Sequence, residues 1–236
     1  MNRLLAFLAT ASIAVAANAQ TFMMVETDEG TFSFDIENVK QVYFKTAEKD
    51  VVKPFFGETT IYDDAKIGDK GLIDGQEVIV AELGETKLAI ATCNYGAKYP
   101  EADGKYINFK NAIAYSENRT WGETWRLPTL QEFQTLMYDD TMEVKPYRMV
   151  PGCTWYIGPN RTELFFPFSG EMSYGELTGK NEVGYYWSSS KAGDGAWCMG
   201  ISEADDPMDA TFYINAYSTD LLSVRLVSEL KSRPSK

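Results

Sequence analysis

The sequence predicts an α+β fold made of two short helices and a larger number of short antiparallel strands. Two segments, residues 108–116 and 130–138, place apolar residues at helical spacing. After the second segment, short runs rich in aromatic and β-branched residues are separated by turns containing Gly, Asn and Asp. Helices followed by many short strands are typical of the α+β class.

The first 19 residues have the features of a cleaved export signal. Arg3 supplies the positive charge, residues 4–17 are almost uninterruptedly apolar, and residues 17–19 (ANA) form a small-x-small cleavage site before Gln20. No other run approaches 18 apolar residues, and the residue directly after the cleavage site is Gln20 and not a cysteine that could carry a lipid. We therefore expect an exported protein without a transmembrane segment that is secreted, periplasmic or associated with the cell surface.

Residues 20–46 are predicted to form a short β-hairpin segment. Phe32, Phe34 and Ile36 alternate with polar residues and follow a turn-forming DEG sequence at residues 28–30. A single hairpin cannot bury a core, so it must dock on the rest of the chain or on a neighbour. Residues 47–54 are mostly polar, end in Pro54 and are assigned as a linker.

Residues 55–231 are predicted to form one domain. Its first part contains two strands, residues 77–82 and 87–92, followed by the helix at residues 108–116. The second helix, residues 130–138, starts at a capping box in which Thr129 and Glu132 are three residues apart. The strands predicted after it are residues 153–157, 163–168, 184–188, 196–202, 211–216 and 223–228.

Composition excludes several classes of function. The chain contains no histidine, which excludes Ser-His-Asp and Cys-His hydrolysis and histidine-bearing zinc sites. Its net charge is -12, from 22 Lys and Arg against 34 Asp and Glu. A nucleic acid backbone would be repelled, so we expect no nucleic acid partner. Cations, neutral sugars and proteins remain as partners.

The three cysteines allow at most one internal disulfide. Cys153 and Cys198 both lie close to a tryptophan in strand-like runs, which makes them the preferred candidate pair over pairings with Cys93. The alternative is three buried free thiols, because free cysteine is among the most buried residue types.

Several motifs, in order, carry a resemblance to a known family. They are residues 91–97 (ATCNYGA), 125–129 (WRLPT), 158–160 (GPN), 164–170 (LFFPFSG), 184–189 (GYYWSS) and 223–227 (SVRLV). In this order they resemble the major paralogous domain (FISUMP-type) family, a C-type-lectin-like module of secreted and surface proteins of gut-associated bacteria. The match covers residues 72–227, and the hairpin is similar to a short N-terminal module of surface proteins from the same bacteria.

The resemblance implies a C-type-lectin-like domain, in which two helices flank a small twisted antiparallel sheet with long loops. The wider superfamily includes sugar binders, protein binders, variable receptor proteins and formylglycine-generating enzymes. We therefore expect the ligand face to be built from loops between residues 188 and 222. Fold alone does not define function.

The candidate ligand-binding residues are aromatic and acidic. Trp197 flanks the turn at residues 191–195, and Tyr213 and Asn215 belong to a later aromatic strand. Together they are candidates for stacking against a sugar or a peptide. For Trp197 the alternative is a position in the core. Asp205, Asp206 and Asp209 lie in an acidic loop whose oxygens suit Ca²⁺. The loop matches no known calcium motif, so we expect a solvated loop and no cofactor, with Ca²⁺ as the alternative.

The family motifs also contain residues to which we assign structural roles. Arg126 and Arg225 lie between apolar neighbours, where a guanidinium would hold backbone carbonyls or one acidic side chain; anion binding is the alternative. The remaining members of this set are Trp125, Pro128, Thr129, Glu132 and Trp187.

Three functions follow as hypotheses. The leading one is a secreted, non-catalytic binding module that recognises an extracellular glycan or protein. The alternative is a structural or assembly subunit that self-associates by strand pairing through the N-terminal hairpin. An enzyme related to formylglycine-generating proteins ranks third, because the thiol spacing does not supply paired reactive cysteines, and we expect no catalytic activity.

Overall fold

The structure is a computed structural model that describes residues 11–13, 22–27, 30–35, 59–138, 141–204 and 209–234. The chain divides into two compact units, Met1–Val51 and Val52–Lys236. This division falls within the residues assigned as a linker, 47–54.

The N-terminal unit contains a three-stranded antiparallel sheet. Its strands are β1 (Ala11–Ile13), β2 (Phe22–Thr27) and β3 (Gly30–Asp35), in the order β1-β2-β3. Strands β2 and β3 pair from Phe22 with Asp35 to Thr27 with Gly30, which is the predicted hairpin. Strand β1 lies within residues 1–19, the segment with the features of an export signal.

The second unit contains two helices and fifteen strands within its described residues. In chain order they are β4 (Lys70–Ile73), β5 (Gln76–Leu83), β6 (Thr86–Ala91), β7 (Ile107–Asn108), α1 (Phe109–Glu117), β8 (Trp125–Arg126), α2 (Leu130–Met137), β9 (Glu143–Val144), β10 (Gly152–Ile157), β11 (Thr162–Pro167), β12 (Glu171–Ser173), β13 (Glu176–Thr178), β14 (Val183–Ala192), β15 (Gly195–Ser202), β16 (Thr211–Ala216), β17 (Leu221–Leu222) and β18 (Val227–Glu229).

These strands form several small sheets in which neighbouring strands run antiparallel. The largest has the order β4-β5-β6-β18-β8, so the last strand of the domain pairs between early ones. The others have the orders β14-β15-β16, β11-β10-β9 and β13-β12-β17-β7. Two short helices with mostly antiparallel sheets confirm the α+β prediction. No helix among the described residues has the length and apolar character needed to cross a membrane.

Both helices begin at side chains that cap them. The Thr129 hydroxyl accepts a hydrogen bond from the backbone N–H of Glu132, whose carboxylate accepts one from the N–H of Thr129. This is the capping box predicted from the sequence. In α1 the Asn108 side chain accepts a hydrogen bond from the N–H of Asn111 at 2.9 Å. Each cap satisfies a backbone donor that would otherwise lack a partner.

Strand β15 packs against two hydrophobic clusters, one on each of its faces. Met199 and Ile201 belong to a cluster that contains Trp155 and Phe133, whereas Cys198 belongs to a second cluster. Successive side chains of a strand point to opposite faces, so an unbroken apolar run such as this one indicates a strand buried on both sides.

The strand predicted for residues 223–228 is wrong in its extent, because only Val227–Glu229 is a strand. Ser223 exchanges backbone hydrogen bonds with β14, where its N–H donates to the Tyr185 carbonyl and its carbonyl accepts from Trp187. The Leu226 carbonyl accepts from the N–H of Ala91 in β6. The chain therefore crosses from one sheet to another within four residues, and Arg225 lies in this crossing.

The candidate disulfide between Cys153 and Cys198 is not formed, and both residues, like Cys93, are buried free thiols. Cys153 belongs to the first hydrophobic cluster and Cys198 to the second. Their strands therefore direct them into different parts of the core. Burial raises the pKa of both thiols to about 12, which disfavours the reactive thiolate.

Candidate functional site

Trp197, Tyr213 and Asn215 lie together on one face of the β15-β16 pair, and we name this group the aromatic platform. Trp197 is directly opposite Asn215, and Tyr213 is two residues earlier in β16. The rings of Trp197 and Tyr213 make an edge-to-face contact, with centroids 5.5 Å apart and an interplanar angle of 78°. This geometry is favoured by the ring quadrupoles and holds the two rings against each other.

The platform is the exposed end of a face whose other end is buried. Met199 lies on the same face as Trp197 and is fully buried, whereas Trp197 is only half-buried. Tyr213 is 47% exposed, and Asn215 is exposed. An anchored indole beside an exposed phenol and a carboxamide offers apolar ring surface together with hydrogen-bond donors and acceptors.

The strand connection before Trp197 is fixed by Gly195 and Ser188. A Cβ atom added at Gly195 would lie 1.8 Å from the carbonyl oxygen of Ala216, so no other residue fits without moving β16. The Ser188 hydroxyl donates a hydrogen bond of 2.6 Å to the Trp197 carbonyl. Both contacts restrain the backbone that carries the indole.

Tyr217 is a further exposed aromatic residue beside this group, and the sequence argument did not include it. It follows directly after β16 and is 74% exposed. Its backbone N–H donates to the Asp220 carboxylate, which holds the turn after the strand. The alternation of Tyr213, Asn215 and Tyr217 along the sequence is the signal that could have identified it.

Among the described residues, the acidic candidate Asp209 lies away from the platform. Asp209 is exposed and precedes β16, whereas Asn215 lies near the other end of that strand. The extended strand from Thr211 to Asn215 alone spans about 13 Å. Asp205 and Asp206 lie outside the described residues.

No group of three or more Cys, Asp or Glu side chains among the described residues is arranged to hold a metal ion. Asp209 therefore belongs to no such group within the part of the chain that the structure describes. The Ca²⁺ alternative for residues 205–209 gains no support from these positions.

Arg126 binds an acidic side chain of its own chain. Its guanidinium donates two hydrogen bonds to the Glu132 carboxylate, at 2.8 and 2.7 Å. The same carboxylate completes the capping box with Thr129, so one acidic group joins β8 to the start of α2. Trp125 is buried beside it, and the Pro128 carbonyl accepts a hydrogen bond from the N–H of Ser189 at 2.7 Å.

Arg225 is fully buried and donates five hydrogen bonds. Two go to the Asn94 side-chain oxygen, at 3.0 and 2.8 Å. Three go to the carbonyls of Ala91, Thr92 and Phe165, at 3.1, 2.7 and 3.0 Å. None of the ion pairs found among the described residues includes Arg225. Burial lowers the pKa of its guanidinium.

The Arg225 contacts join three distant parts of the domain: the end of β6, strand β11 and the crossing before β18. Its guanidinium also lies over the Phe166 ring, with 4.1 Å between Cζ and the ring centroid. Trp187 lies in the second cluster, where its indole N–H donates to the Ile107 carbonyl at 2.7 Å. In the folded chain both side chains therefore serve internal contacts.

The comparisons with known proteins give no relative for this chain: no family model, curated protein or solved structure matches it. Functional interpretation therefore depends on the geometry and on the sequence motifs.

Proposed function

We propose that the protein is an exported, non-catalytic binding module that recognises an extracellular glycan or protein. In this proposal its second unit is a C-type-lectin-like domain of the major paralogous (FISUMP-type) family, and the ligand face lies within residues 188–222. The observation that carries the proposal is the ring contact between Trp197 and Tyr213, in which Tyr213 is 47% exposed, with Asn215 opposite Trp197.

Physical chemistry supports this use of the aromatic platform. A ring edge and a ring face held in a fixed geometry lose little conformational entropy when a sugar ring or a peptide plane packs on them. The Asn215 carboxamide and the Tyr213 hydroxyl supply donors and acceptors that would orient the ligand. The chain has no histidine to activate a nucleophile, and its three thiols are buried, so neither a histidine-activated serine nor an exposed thiolate is offered to a substrate.

The test is a glycan and surface-protein array probed with the mature chain, followed by titration of the best ligand. Tyr213→Ala and Asn215→Ala are the informative variants, because both side chains are exposed and their removal should leave the fold intact. We expect Tyr213→Ala to weaken binding at least about tenfold, as removal of a central aromatic contact does.

Tyr174→Ala is the matched control, because Tyr174 is fully exposed in the turn between β12 and β13. It should bind as the wild-type protein does. An array without any ligand, or equal binding by the Tyr213 and Tyr174 variants, would contradict the proposal.

A second candidate function, self-association through the N-terminal hairpin, is favoured by the position of β1. Its residues, Ala11–Ile13, pair with Met23–Val25 of β2 yet belong to the segment expected to be cleaved. Cleavage would leave β2 with an unpaired edge, and an isolated two-stranded hairpin is marginally stable. Size-exclusion chromatography of the mature chain and of a variant lacking residues 20–45 tests this. Equal oligomeric states would count against strand-mediated assembly.

A further inference from the structure

Strand β16 is the outer strand of the sheet β14-β15-β16. It pairs with β15 on one side, and no strand pairs with its other side among the described residues. A strand in such a position presents backbone N–H and C=O groups that can pair with another chain. The backbone of β16 is therefore a second source of binding contacts beside the side chains of the aromatic platform.

The register shows which backbone groups of β16 face away from β15. Directly beyond the ladder of the two strands, the N–H of Ser202 donates to the Ala210 carbonyl at 2.8 Å. Hydrogen-bonded and non-hydrogen-bonded pairs alternate along an antiparallel ladder. The N–H and C=O groups of Thr211, Tyr213 and Asn215 therefore point away from β15, and we name them the open edge. No backbone hydrogen bond to the open edge is found among the described residues.

The open edge and the aromatic platform share Tyr213 and Asn215. A strand added to β16 would lie about 4.8 Å from it, with alternate side chains on the face that carries the Tyr213 ring. Alternating amide donors and carbonyl acceptors at this spacing are what the main chain of an extended peptide offers. One extended peptide can therefore contact both the backbone and the side chains of these two residues.

The other outer strands of the second unit are covered, short or interrupted in their described residues. Strands β4 and β14 receive backbone hydrogen bonds on their outer sides, from Ile61 and Ser223. Strand β11 contains Glu163 and ends in Pro167, and β7, β8, β9 and β13 have three residues or fewer. Strand β16 has six residues without a charge or a proline. Since proteins usually protect their sheet edges in these ways, the unprotected edge of β16 indicates a strand that pairs with a partner.

The charge around the open edge is negative. Residues 192–224 contain six Asp and Glu and no Lys or Arg. Glu203 follows directly after β15, Asp209 precedes β16, and Asp220 follows it. None of the ion pairs found in the described part of the chain includes these three. Two copies of this segment would repel each other, whereas a peptide with Lys or Arg side chains would be attracted.

We propose that the open edge of β16 binds an extended peptide segment of a partner protein, with basic residues at both ends of that segment. The peptide adds to the sheet as a fourth strand, and its main chain pairs with Tyr213 and Asn215. A segment of about six to eight residues spans the strand, so its basic ends reach Asp209 and Asp220. This inference rests on the proposed function and deepens it, because it names the class of ligand that the platform takes.

The test titrates the mature chain with two end-blocked, fluorescently labelled peptides, KTVTVTVK and ETVTVTVE. We expect the lysine peptide to bind at least about tenfold more tightly at about 50 mM salt, and the difference to shrink at about 500 mM. Binding should also slow the hydrogen exchange of the amides of Thr211, Tyr213 and Asn215, because these N–H groups gain acceptors.

Two substitutions at one position separate strand pairing from side-chain contact. Asn215→Ala and Asn215→Pro both remove the carboxamide, but only proline removes the N–H of the open edge. Proline is tolerated in an outer strand where the N–H faces solvent. We expect Asn215→Pro to bind the lysine peptide at least about tenfold more weakly than Asn215→Ala. Thermal unfolding checks both folds, and if the proline variant unfolds, the hydrogen exchange of the wild-type protein decides.

A second pair of variants tests the charge. Asp209→Asn should weaken the lysine peptide about threefold, which is the size of a surface charge contact. Glu85→Gln is the matched control, because Glu85 is an exposed acid in the turn between β5 and β6. It should bind as the wild-type protein does. Equal losses for the two variants would overturn the proposal, since the peptide would then respond to the net charge alone.

The proposal is also overturned if neither peptide binds at about 1 mM, if both bind equally at low salt, or if the two Asn215 variants bind equally. A dimer in sedimentation that Asn215→Pro abolishes would mean that a second copy occupies the edge, and would likewise overturn it. If an array ligand is weakened by Tyr213→Ala while no peptide binds, the proposed function stands and the peptide inference alone fails.

Discussion

Replacement of Arg225 by methionine is expected to destabilise the second unit strongly. The change leaves four buried acceptors without their donor: the side-chain oxygen of Asn94 and the carbonyls of Ala91, Thr92 and Phe165. Each buried unsatisfied acceptor costs about 1–3 kcal/mol. Removal of the buried charge of Arg225 removes its desolvation cost, which offsets several kcal/mol of the cost of the four acceptors. The free energy of unfolding is therefore expected to fall by about 3–5 kcal/mol.

That loss is a large part of the free energy of unfolding of a typical domain, about 5–15 kcal/mol. Urea unfolding at pH 7 measures it, and the melting temperature should fall by about 10 °C. Arg225→Lys should lose nearly as much, because an ammonium has three donors and no flat face to lie on Phe166.

Arg233→Met is the control for this experiment. Arg233 is 61% exposed and forms a surface ion pair with Asp64 at 2.9 Å. Surface pairs contribute about 0–1 kcal/mol, so this variant should unfold almost as the wild type does. A loss below about 1 kcal/mol for Arg225→Met would refute the reasoning that Arg225 joins the three segments.

Two further predictions concern the helix cap and the thiols. Thr129→Ala should lower the free energy of unfolding by about 1 kcal/mol, while Thr129→Ser should keep the cap; equal urea midpoints for the two variants would contradict this. Burial raises the pKa of Cys153 and Cys198 from 9.0 to about 12. Between pH 9 and pH 12 the folded state therefore binds more protons than the unfolded state. The free energy of unfolding should fall as the pH rises through this range. At pH 10.5 each thiol should lower the free energy of unfolding by about 2 kcal/mol. Urea midpoints at pH 8.5 and 10.5 measure this loss of stability. The difference between the two midpoints should shrink when both cysteines are replaced by alanine. An unchanged difference would show that the thiols do not cause the loss.

The local elements could be predicted because their signals act over a few residues. The capping box at Thr129 and Glu132 needs only three residues of sequence, and it places the start of α2 correctly. The short runs at residues 196–202 and 211–216, bounded by turn-forming residues, likewise predict strands β15 and β16. The two-residue strands β7 and β8 were not predicted, since so short a run shows no periodicity.

The sequence could name residues of the candidate site but could not assemble them. Trp197 and Tyr213 are sixteen positions apart, and only the register of β15 with β16 places their rings in contact. Asp209 and Asn215 were assigned to one ligand face, but they lie toward opposite ends of β16, because a strand extends its residues along its length. The choice between the candidate pair Cys153–Cys198 and three free thiols likewise depended on the tertiary structure, which places the two side chains in different hydrophobic clusters.

The sequence by itself determined the α+β class, the two helices with the capping box of the second, and the exclusion of histidine chemistry, since composition and short periodic patterns contain that information. The tertiary structure alone decided which acceptors surround Arg225, because its partners Ala91, Thr92 and Asn94 are more than 130 positions away along the chain. Contacts so distant in sequence are selected by the packing of the whole domain, and no local pattern records them.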